Sequence, residues 1–326
     1  MSDLELFYKK EISKIEKCLK GFSDGKDPDA LYKPISYLFQ KNGKLLRPLL
    51  VLLSAKSVGG NYENVKNAAV SVELAHASSL VHDDMIDNSN KRRGRLSLHK
   101  VYGRNASLLV GDALIFASYE SLLKDCTKKT KEILTLFTLT AVKICEGQSL
   151  DMDFDTKKEV SIEEYKIMIY KKTAALLEVS CMIGAKLSCD DEKLIKAVSN
   201  YGKFLGLAFQ IQDDLLDISA DEVIFGKKIG TDFLNGKKTY ISLRFYEVAN
   251  QKERSEVFNL LKSKKTRSFK VNFFKNICSR LGVFVDSEAE IKKYINLALR
   301  SIECLPESEG KEMMILLAEK IKDRKF

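Results

Sequence analysis

Apolar residues recur at spacings of three, four and seven along most of the chain, which is the pattern of amphipathic helices. Alternating runs of the strand type are scarce, and no proline occurs between Pro48 and Pro306. We therefore predict a nearly all-α protein. The predicted helices are residues 3–20, 31–40, 44–58, 62–88, 104–125, 130–150, 161–187, 191–219, 236–249, 252–263, 286–302 and 308–323.

Two connections between these helices, residues 88–103 and 220–236, are basic and contain glycine. Their basic residues include Lys91, Arg92, Arg93 and Arg95 in the first and Lys227 and Lys228 in the second. The sequence shows no low-complexity linker and no short repeat. Residues 1–326 are therefore predicted to form a single large helical domain.

The chain has 326 residues, of which 45% are hydrophobic, and this is enough for a large core. We expect no transmembrane segment, because the best candidate, Leu45–Leu53, is short and is interrupted by Arg47 and Pro48. The charged N-terminus does not resemble a signal peptide, so we expect a cytoplasmic protein. Seven scattered cysteines without metal-ligand spacing fit reduced thiols better than a zinc site.

The formal net charge of +9 predicts either a lysine-rich surface or an anionic partner. No arginine-rich run is interleaved with aromatic residues, so we expect no nucleic acid partner. A membrane surface and a phosphorylated substrate remain open on charge alone.

Three aspartates stand close together at the end of a predicted apolar helix, in the sequence HDDMID at 82–87. Asp83 and Asp87 are four residues apart and lie on one helix face, and Asp84 adjoins them. Residues 76–87 contain no lysine or arginine that could compensate these charges. A divalent cation would compensate them, and Mg²⁺ prefers carboxylate oxygens.

The same spacing recurs in FQIQDDLLDI at 209–218, with Asp213, Asp214 and Asp217, and Gln210 extends the stripe. One such motif would also suit a solvated helix end. Two motifs, each followed by a basic connection, favour carboxylate sets that bind Mg²⁺ together with a diphosphate. The basic connections would then bind the remaining phosphate oxygens.

Between residues 40 and 242 the sequence resembles the trans-isoprenyl diphosphate synthases, or polyprenyl synthetases. The shared motifs are GKLLRP at 43–48, ELAHASSLVHDDMIDNS at 73–89, RRG at 92–94, GDALIFA at 111–117, EGQSLD at 146–151, YKKTAALLE at 170–178, FQIQDDLLD at 209–217 and GKKIGTDFLNGKKT at 226–239. The resemblance implies an all-α helical bundle of the isoprenoid synthase type with a central prenyl tunnel, and a homodimer.

The resemblance also implies roles for individual residues. The implied metal ligands, for about three Mg²⁺ ions per active site, are Asp83, Asp84, Asp87, Asp213 and, less directly, Asp214 and Asp217. The implied catalytic residues are Asp83, Asp84, Asp87, Asp213 and Lys172. The allylic diphosphate would contact Arg92, Lys172, Thr173, Gln210, Lys227 and Lys237. The diphosphate of isopentenyl diphosphate would contact Lys44, Arg47, His76 and Arg93.

The implied reaction is the Mg²⁺-dependent, head-to-tail condensation of isopentenyl diphosphate with an allylic diphosphate. Where the family usually has proline after the first lysine of GKK this chain has Lys228, so Lys227 and Lys228 both remain candidates for the contact with substrate. Ala75, Ser78 and Ser79 precede the first aspartate motif, where short-chain synthases often carry an aromatic plug. Because all three are small, we expect a product longer than C15, either geranylgeranyl or C30–C50.

Other functions fit the residues less well. A farnesyl diphosphate synthase is the alternative on product length. A class I terpene cyclase would share the first motif but would normally mix Asp, Asn, Ser, Thr and Glu in the second. A non-catalytic subunit of a heteromeric synthase would typically have lost one aspartate motif, and a calcium-binding or scaffold protein would not need the basic residues in register.

Overall fold

The computed structural model describes the backbone of residues 3–220 and 229–322 and the side chains from Lys9 onward. The helices of the first range are α1 (Asp3–Lys20), α2 (Asp29–Phe39), α3 (Leu46–Ser57), α4 (Lys66–Ile86), α5 (Leu98–Tyr102), α6 (Arg104–Asp125), α7 (Thr130–Thr156), α8 (Ile162–Ile169), α9 (Ala175–Lys186) and α10 (Glu192–Ser219). Those of the second range are α11 (Thr231–Leu234), α12 (Tyr240–Val248), α13 (Gln251–Lys262), α14 (Arg267–Arg280), α15 (Val283–Ser301) and α16 (Glu309–Lys322).

Short elements complete the described chain. They are 3₁₀ turns at Gly21–Ser23 and Tyr62–Asn64, a π-helical turn at Tyr170–Ala174, and the antiparallel strands β1 (Lys91–Arg92) and β2 (Arg95–Leu96). The prediction of a nearly all-α protein is confirmed.

Four details of the predicted elements were wrong. The basic connection 88–103 contains the β1–β2 hairpin and α5, and the predicted helix 161–187 is interrupted by the π turn. The predicted helix 236–249 begins only at Tyr240, because Gly236 has the left-handed φ of 74° and Thr239 caps the next helix. Helix α14 was missed altogether.

Helix α14 was missed because four of its fourteen residues are lysine or arginine, which hides its apolar stripe. Val271, Phe274 and Cys278 nevertheless follow helical spacing, and the hydroxyl of Thr266 accepts a hydrogen bond from the N–H of Phe269 at its start. An N-cap followed by this spacing is the signal that could have identified the helix.

The chain divides into two compact units, and the first contains the described residues of 1–140 with 176–202 and 302–316. Its centre is α4, of which every residue from 68 to 74 is buried. Helix α6 packs extensively along α4, and the hydroxyl of Ser78 donates to the carbonyl oxygen of Gly111 at 2.8 Å. Because α4 is enclosed in this way, the aspartates at its C-terminus are held on a rigid element.

The second unit contains residues 141–175 and the described residues of 203–301 and 317–326. Aromatic rings form part of its core: Phe233 and Phe274 stack at 3.9 Å between ring centroids, and Phe245 meets Phe274 edge-on at 5.3 Å. These contacts tie the missed helix α14 to α11 and α12. That residues 1–326 form one domain stays a prediction.

Among the described helices, α6 alone has the length and the apolar composition that a membrane-spanning helix needs. The weaker stretch Leu45–Leu53, chosen from the sequence, was therefore not the best candidate. Only 39% of the most apolar window of α6 is buried, and one such helix is weak evidence for a membrane span. Its exposed apolar residues include Leu108, Leu109 and Phe116, whose side chain is 73% exposed.

Candidate active site

The first aspartate motif occupies the C-terminal turn of α4. Asp83 is partly exposed, Asp87 is exposed, and Asp84 is buried. The C-terminal end of a helix carries partial negative charge, so three carboxylates at this end raise the electrostatic cost beyond their mutual repulsion. The turn therefore requires positive charge from elsewhere.

Arg92 supplies part of that charge from the hairpin. Its Nε and Nη2 atoms donate to Oδ1 of Asp84 at 3.0 and 2.5 Å. Burial opposes the charge on the guanidinium, but the bond to Asp84 and the charges of Asp83 and Asp87 outweigh it and raise the pKa of Arg92. The basic partner that residues 76–87 lack is thus provided by the connection that follows them.

The turn of the hairpin directs two neighbouring arginines to different partners. Arg92 pairs with Arg95 across the strands, so the turn residues are Arg93 and Gly94, and both have positive φ (53° and 77°). Positive φ at both positions is the type I′ geometry that matches strand twist. The guanidinium of Arg93 lies 3.6 Å from the carboxylate of Glu73, not at the aspartate motif.

Gly43 lies against this second arginine. A Cβ at Gly43 would come within 2.9 Å of Nη2 of Arg93, so with any larger residue the guanidinium would have to move from its place against the backbone. Arg93 also donates to the carbonyl oxygen of Lys41 at 3.3 Å. The glycine before Lys44 is therefore explained by the position of Arg93.

Glu73 is a candidate residue that the sequence reasoning missed. Its side chain is buried, and burial raises its pKa to about 7 although the charges of Arg93 and Arg47 oppose this. Desolvation, together with the charges of Arg47, Arg93 and Arg92, holds the pKa of His76 well below its usual value, so the imidazole is neutral near pH 7. An acidic residue in the otherwise apolar helix before His76 was the available signal.

The three aspartates of the second motif, on α10, differ in burial. Asp213 and Asp217 are partly exposed, whereas Asp214 is buried. The carboxylate of Asp217 accepts from the N–H of Asp232 at 3.2 Å. Burial and the negative charge of Asp232 raise the pKa of Asp217 to about 6.

Asp214 is held by three donors. The phenol of Tyr165 and the N–H of Tyr240 donate to Oδ2 at 2.5 and 2.8 Å, and Nε2 of Gln210 donates to Oδ1 at 3.1 Å. Burial raises the pKa of Asp214 to about 7, while the bonds from Tyr165, Tyr240 and Gln210 favour the ionised form. Tyr165 had no recognisable signal in the sequence, because nothing in its own helix marks it as a partner of α10.

The π turn between α8 and α9 carries Lys172 and Thr173. Nζ of Lys172 lies 2.6 Å from the carboxylate of Asp151, and the hydroxyl of Thr173 donates to Oε1 of Gln210 at 2.9 Å. A π turn adds one residue to a helical turn and re-aims the side chains that follow, and such turns often occur at functional sites. Of the predicted diphosphate ligands, Thr173 and Gln210 are thus in direct contact.

Two glycines make room for the π turn. A Cβ at Gly147 of α7 would lie 2.3 Å from the backbone nitrogen of Lys172, and one at Gly206 of α10 would lie 2.6 Å from Cα of Ala174. Neither helix could approach the turn so closely with a side chain at these positions. The glycines of EGQSLD and of the apolar stretch before the second motif are explained by this packing.

Comparison with known proteins identifies the family of the chain. The polyprenyl synthetase family model matches residues 28–277. The short chain isoprenyl diphosphate synthase of Methanothermobacter thermautotrophicus is 35% identical, over 91% of both chains. The chain belongs to the polyprenyl synthetase family.

Other members agree in both sequence and structure. The geranylgeranyl diphosphate synthase of Sulfolobus acidocaldarius is 30% identical over the full length of both chains. The crystal structure of geranylgeranyl pyrophosphate synthetase from Pyrococcus horikoshii Ot3 superimposes with a TM-score of 0.92 at 35% identity, covering 99% of this chain and 98% of that one. The predicted fold class is confirmed, and the chain is a prenyltransferase enzyme.

Several residues with roles implied by the polyprenyl synthetase resemblance remain to be placed. Lys44 is exposed, Arg47 lies in the first turn of α3, and the N–H of Lys237 donates to the carbonyl oxygen of Asp232. Lys227 and Lys228 lie outside the described residues.

The three small residues before the first motif occupy different environments. Ala75 and Ser79 are partly exposed and lie one turn apart on α4, and the hydroxyl of Ser79 donates to the carbonyl oxygen of His76 at 2.8 Å. Ser78 is buried against α6. The face of α4 that carries Ala75 and Ser79 is therefore more exposed than the face that carries Ser78. The role of all three residues in product length stays a prediction.

Proposed function

We propose that the chain condenses isopentenyl diphosphate with an allylic diphosphate, in the presence of Mg²⁺, to form geranylgeranyl diphosphate and pyrophosphate. The observation that carries the proposal is the divergence of two adjacent arginines. Arg92 reaches the carboxylate motif, whereas Arg93 reaches Glu73, whose helix also carries His76. One arginine would thus serve a diphosphate site beside the proposed metal ligands, and the other a diphosphate site away from them.

The carboxylates fit magnesium. Among residues 3–220 and 229–322, no group of three His, Cys, Asp or Glu side chains would hold a metal ion by itself. Each motif instead offers an i, i+4 pair of partly or fully exposed carboxylates, Asp83 with Asp87 and Asp213 with Asp217. Mg²⁺ is usually held by one or two carboxylates together with substrate phosphates. The number of ions, about three by family resemblance, stays a prediction.

By family resemblance, the first site would bind the allylic diphosphate through Arg92, Lys172, Gln210, Lys227 and Lys237, with Thr173 beside them. The second would bind isopentenyl diphosphate through Lys44, Arg47, His76 and Arg93. Arginine forks match phosphate oxygens, and the neutral His76 can donate one hydrogen bond without adding to the positive charge. Magnesium, when bound, would neutralise charge on the departing diphosphate.

The proposed reaction breaks the C–O bond of the allylic diphosphate and leaves an allylic cation. The double bond of isopentenyl diphosphate attacks that cation, a C–C bond forms, and a proton is lost to the released pyrophosphate. Basic residues stabilise the leaving group, so the chain needs no covalent nucleophile. The cysteines Cys126, Cys181 and Cys278 are buried, and burial raises their thiol pKa values.

A C20 product is supported by the small side chains of Ala75 and Ser79 and by the names of relatives. Among these are the geranylgeranyl diphosphate synthases of Methanosarcina mazei and Saccharolobus solfataricus. Relatives named geranylfarnesyl and octaprenyl diphosphate synthase also occur, so longer products are the alternative.

The exposed apolar row Leu108, Leu109 and Phe116 supports a homodimer in which α6 contacts a second copy. Together these side chains form an apolar surface, which a second copy would shield from water. A cytoplasmic location stays a prediction.

The test is a prenyl-transfer assay. The protein would be incubated with Mg²⁺, labelled isopentenyl diphosphate and dimethylallyl, geranyl or farnesyl diphosphate, and the products sized. Incorporation ending at C20 is expected, and no incorporation with any primer would refute the proposal. Asp83→Ala should abolish turnover with an unchanged fold, whereas Glu120→Ala, at an exposed position of α6, should leave turnover intact.

A further inference from the structure

The hydrogen bonds around Asp214 have a defined direction. The backbone N–H of Tyr240 can only donate, so Oδ2 of Asp214 is an acceptor. Oδ1 receives the amide N–H of Gln210, and this orientation leaves Oε1 of Gln210 facing Thr173. Donation therefore runs from Thr173 through Gln210 to Asp214.

This direction determines what Thr173 can offer to a substrate. Its hydroxyl has a single proton, and that proton is donated to Gln210. The oxygen lone pairs remain for any further contact, so the hydroxyl presents its negative end. A negative dipole end stabilises a developing cation and repels an anion.

Tyr165 holds the far end of this network. Its side chain is fully buried, and its ring packs edge-on against that of Tyr240 with 6.1 Å between centroids. Its phenol donates to Oδ2 of Asp214 at 2.5 Å. If the amide of Gln210 rotated by half a turn, its Oε1 would face Oδ1 of Asp214, and two acceptors would meet without a proton between them. Tyr165 keeps the carboxylate in the orientation that prevents this rotation.

We propose that Tyr165 is a positioning residue for prenyl transfer: by donating to Asp214 it fixes Gln210 and Thr173 so that the hydroxyl oxygen of Thr173 faces the developing allylic cation. This inference rests on the proposed function and adds a residue to its site. Tyr165 touches no reacting atom and acts through Asp214. Asp214 then serves chiefly to orient Gln210, which separates its role from that of the partly exposed pair Asp213 and Asp217.

The first experiment compares two buried phenols. Tyr165→Phe removes the donor to Asp214, and Tyr201→Phe removes a fully buried phenol that donates to the carbonyl oxygen of Met314 at 2.7 Å in the other compact unit. Both variants lose one buried hydrogen bond, so their midpoints of urea unfolding should fall similarly. We expect kcat of Tyr165→Phe to fall about tenfold with KM for both substrates within about twofold, and kcat of Tyr201→Phe to be unchanged.

A double-mutant cycle tests the connection to Thr173. Thr173→Val alone should lower kcat, and adding Tyr165→Phe should lower it no further, because the hydroxyl that Tyr165 orients is already absent. Multiplicative effects would overturn the inference, as would wild-type kcat in Tyr165→Phe. Inactivity of the wild type with every primer would instead refute the proposed function, and this inference with it.

Unnatural side chains keep the test decisive if Tyr165→Phe fails to fold. 4-Aminophenylalanine at position 165 retains a donor, and 4-fluorophenylalanine fills the same space without one. Wild-type kcat with the first and a tenfold loss with the second, at equal unfolding midpoints, is the expected result. Equal kcat for both would overturn the proposal.

Discussion

The carboxylate of Glu73 lies 3.6 Å from the guanidinium of Arg93, and the side chain of Glu73 is only 3% exposed. The side chain of Arg93 is 23% exposed, so removal of Arg93 would leave the more deeply buried Glu73 desolvated and uncompensated. We expect Glu73 to position Arg93 in the proposed isopentenyl diphosphate site, although like charge prevents its own contact with a phosphate.

Glu73→Gln should change the pH dependence of stability. The pKa of Glu73 rises from 4.5 to about 7 on folding, so the folded chain binds more protons than the unfolded chain between these values. Stability contributed by Glu73 is therefore fully present below about pH 4.5 and is lost as the pH rises through 7, a change of roughly 3 kcal/mol. Urea unfolding at pH 5 and pH 8 should show a smaller decrease for Glu73→Gln than for the wild type.

The remaining change in Glu73→Gln should come from Asp214 and Asp217, whose raised pKa values lower stability as the pH rises, and from His76, whose lowered pKa acts in the opposite sense. Glu159→Gln removes the same charge from an exposed position and should leave the pH dependence as in the wild type. An equal slope for Glu73→Gln and the wild type would contradict the prediction.

Arg92→Gln should strengthen metal binding in the absence of substrate while slowing catalysis. Arg92 donates two hydrogen bonds to Asp84, so it competes with a cation for the first motif. Loss of a charge-assisted bond should increase Mn²⁺ affinity about tenfold, measured by the paramagnetic signal of unbound Mn²⁺.

Arg95→Gln is the matched control for this effect. Arg95 belongs to the same hairpin but donates to the carbonyl oxygen of Tyr37 and to the side chain of Gln40. Its replacement should leave Mn²⁺ affinity unchanged. Equal Mn²⁺ affinity in Arg92→Gln and the wild type would show that Arg92 does not restrain the motif.

Gly147→Ala should impair catalysis through the π turn. The added Cβ would meet backbone atoms of Lys172 at 2.3 Å, so the turn must move, and Lys172 and Thr173 move with it. We expect kcat/KM to fall about a hundredfold and the free energy of unfolding to fall by about 1–3 kcal/mol. Ser149→Ala, at an exposed position of the same helix, should behave as the wild type. Normal turnover by Gly147→Ala would show that the turn tolerates displacement.

Ser79→Phe should shorten the product. Ser79 lies on the partly exposed face of α4, where an aromatic ring can project without displacing a helix. Ser78→Phe should instead destabilise the fold, because Ser78 is buried with its hydroxyl 2.8 Å from the carbonyl oxygen of Gly111. Product sizing by chromatography should show C15 or shorter for Ser79→Phe and an unchanged product for Ser79→Ala. An unchanged length in Ser79→Phe would place the end of the tunnel elsewhere.

Phe116→Glu should prevent dimerisation. The side chain is 73% exposed on an apolar face, and burying a carboxylate against a second copy is costly. Light scattering coupled to size exclusion should give the mass of a dimer for the wild type and of a monomer for the variant. Glu120→Gln, an exposed change on the same helix, should remain dimeric, and a dimeric Phe116→Glu would assign the contact to another surface.

The all-α fold could be predicted because helical spacing of apolar residues is a local property. The same holds for the paired aspartates, whose i, i+4 geometry follows from the helix alone. The different role of Asp214, which is buried and hydrogen-bonded while Asp213 and Asp217 are partly exposed, could not be predicted, because it depends on Tyr165 from a different helix. The π turn was equally hidden, since it depends on close packing against Gly147 and Gly206 and leaves the apolar spacing intact.

The left-handed backbone of Arg93 has a consequence for engineering. Asparagine or glycine is the favoured residue at this position of a type I′ turn, and an arginine there carries a conformational cost. A sequence optimised for turn propensity alone would therefore replace Arg93 and leave Glu73 buried without the guanidinium that compensates it. Turn propensity is thus the wrong guide at this position, and Arg93 should be held fixed in any attempt to make the enzyme more robust.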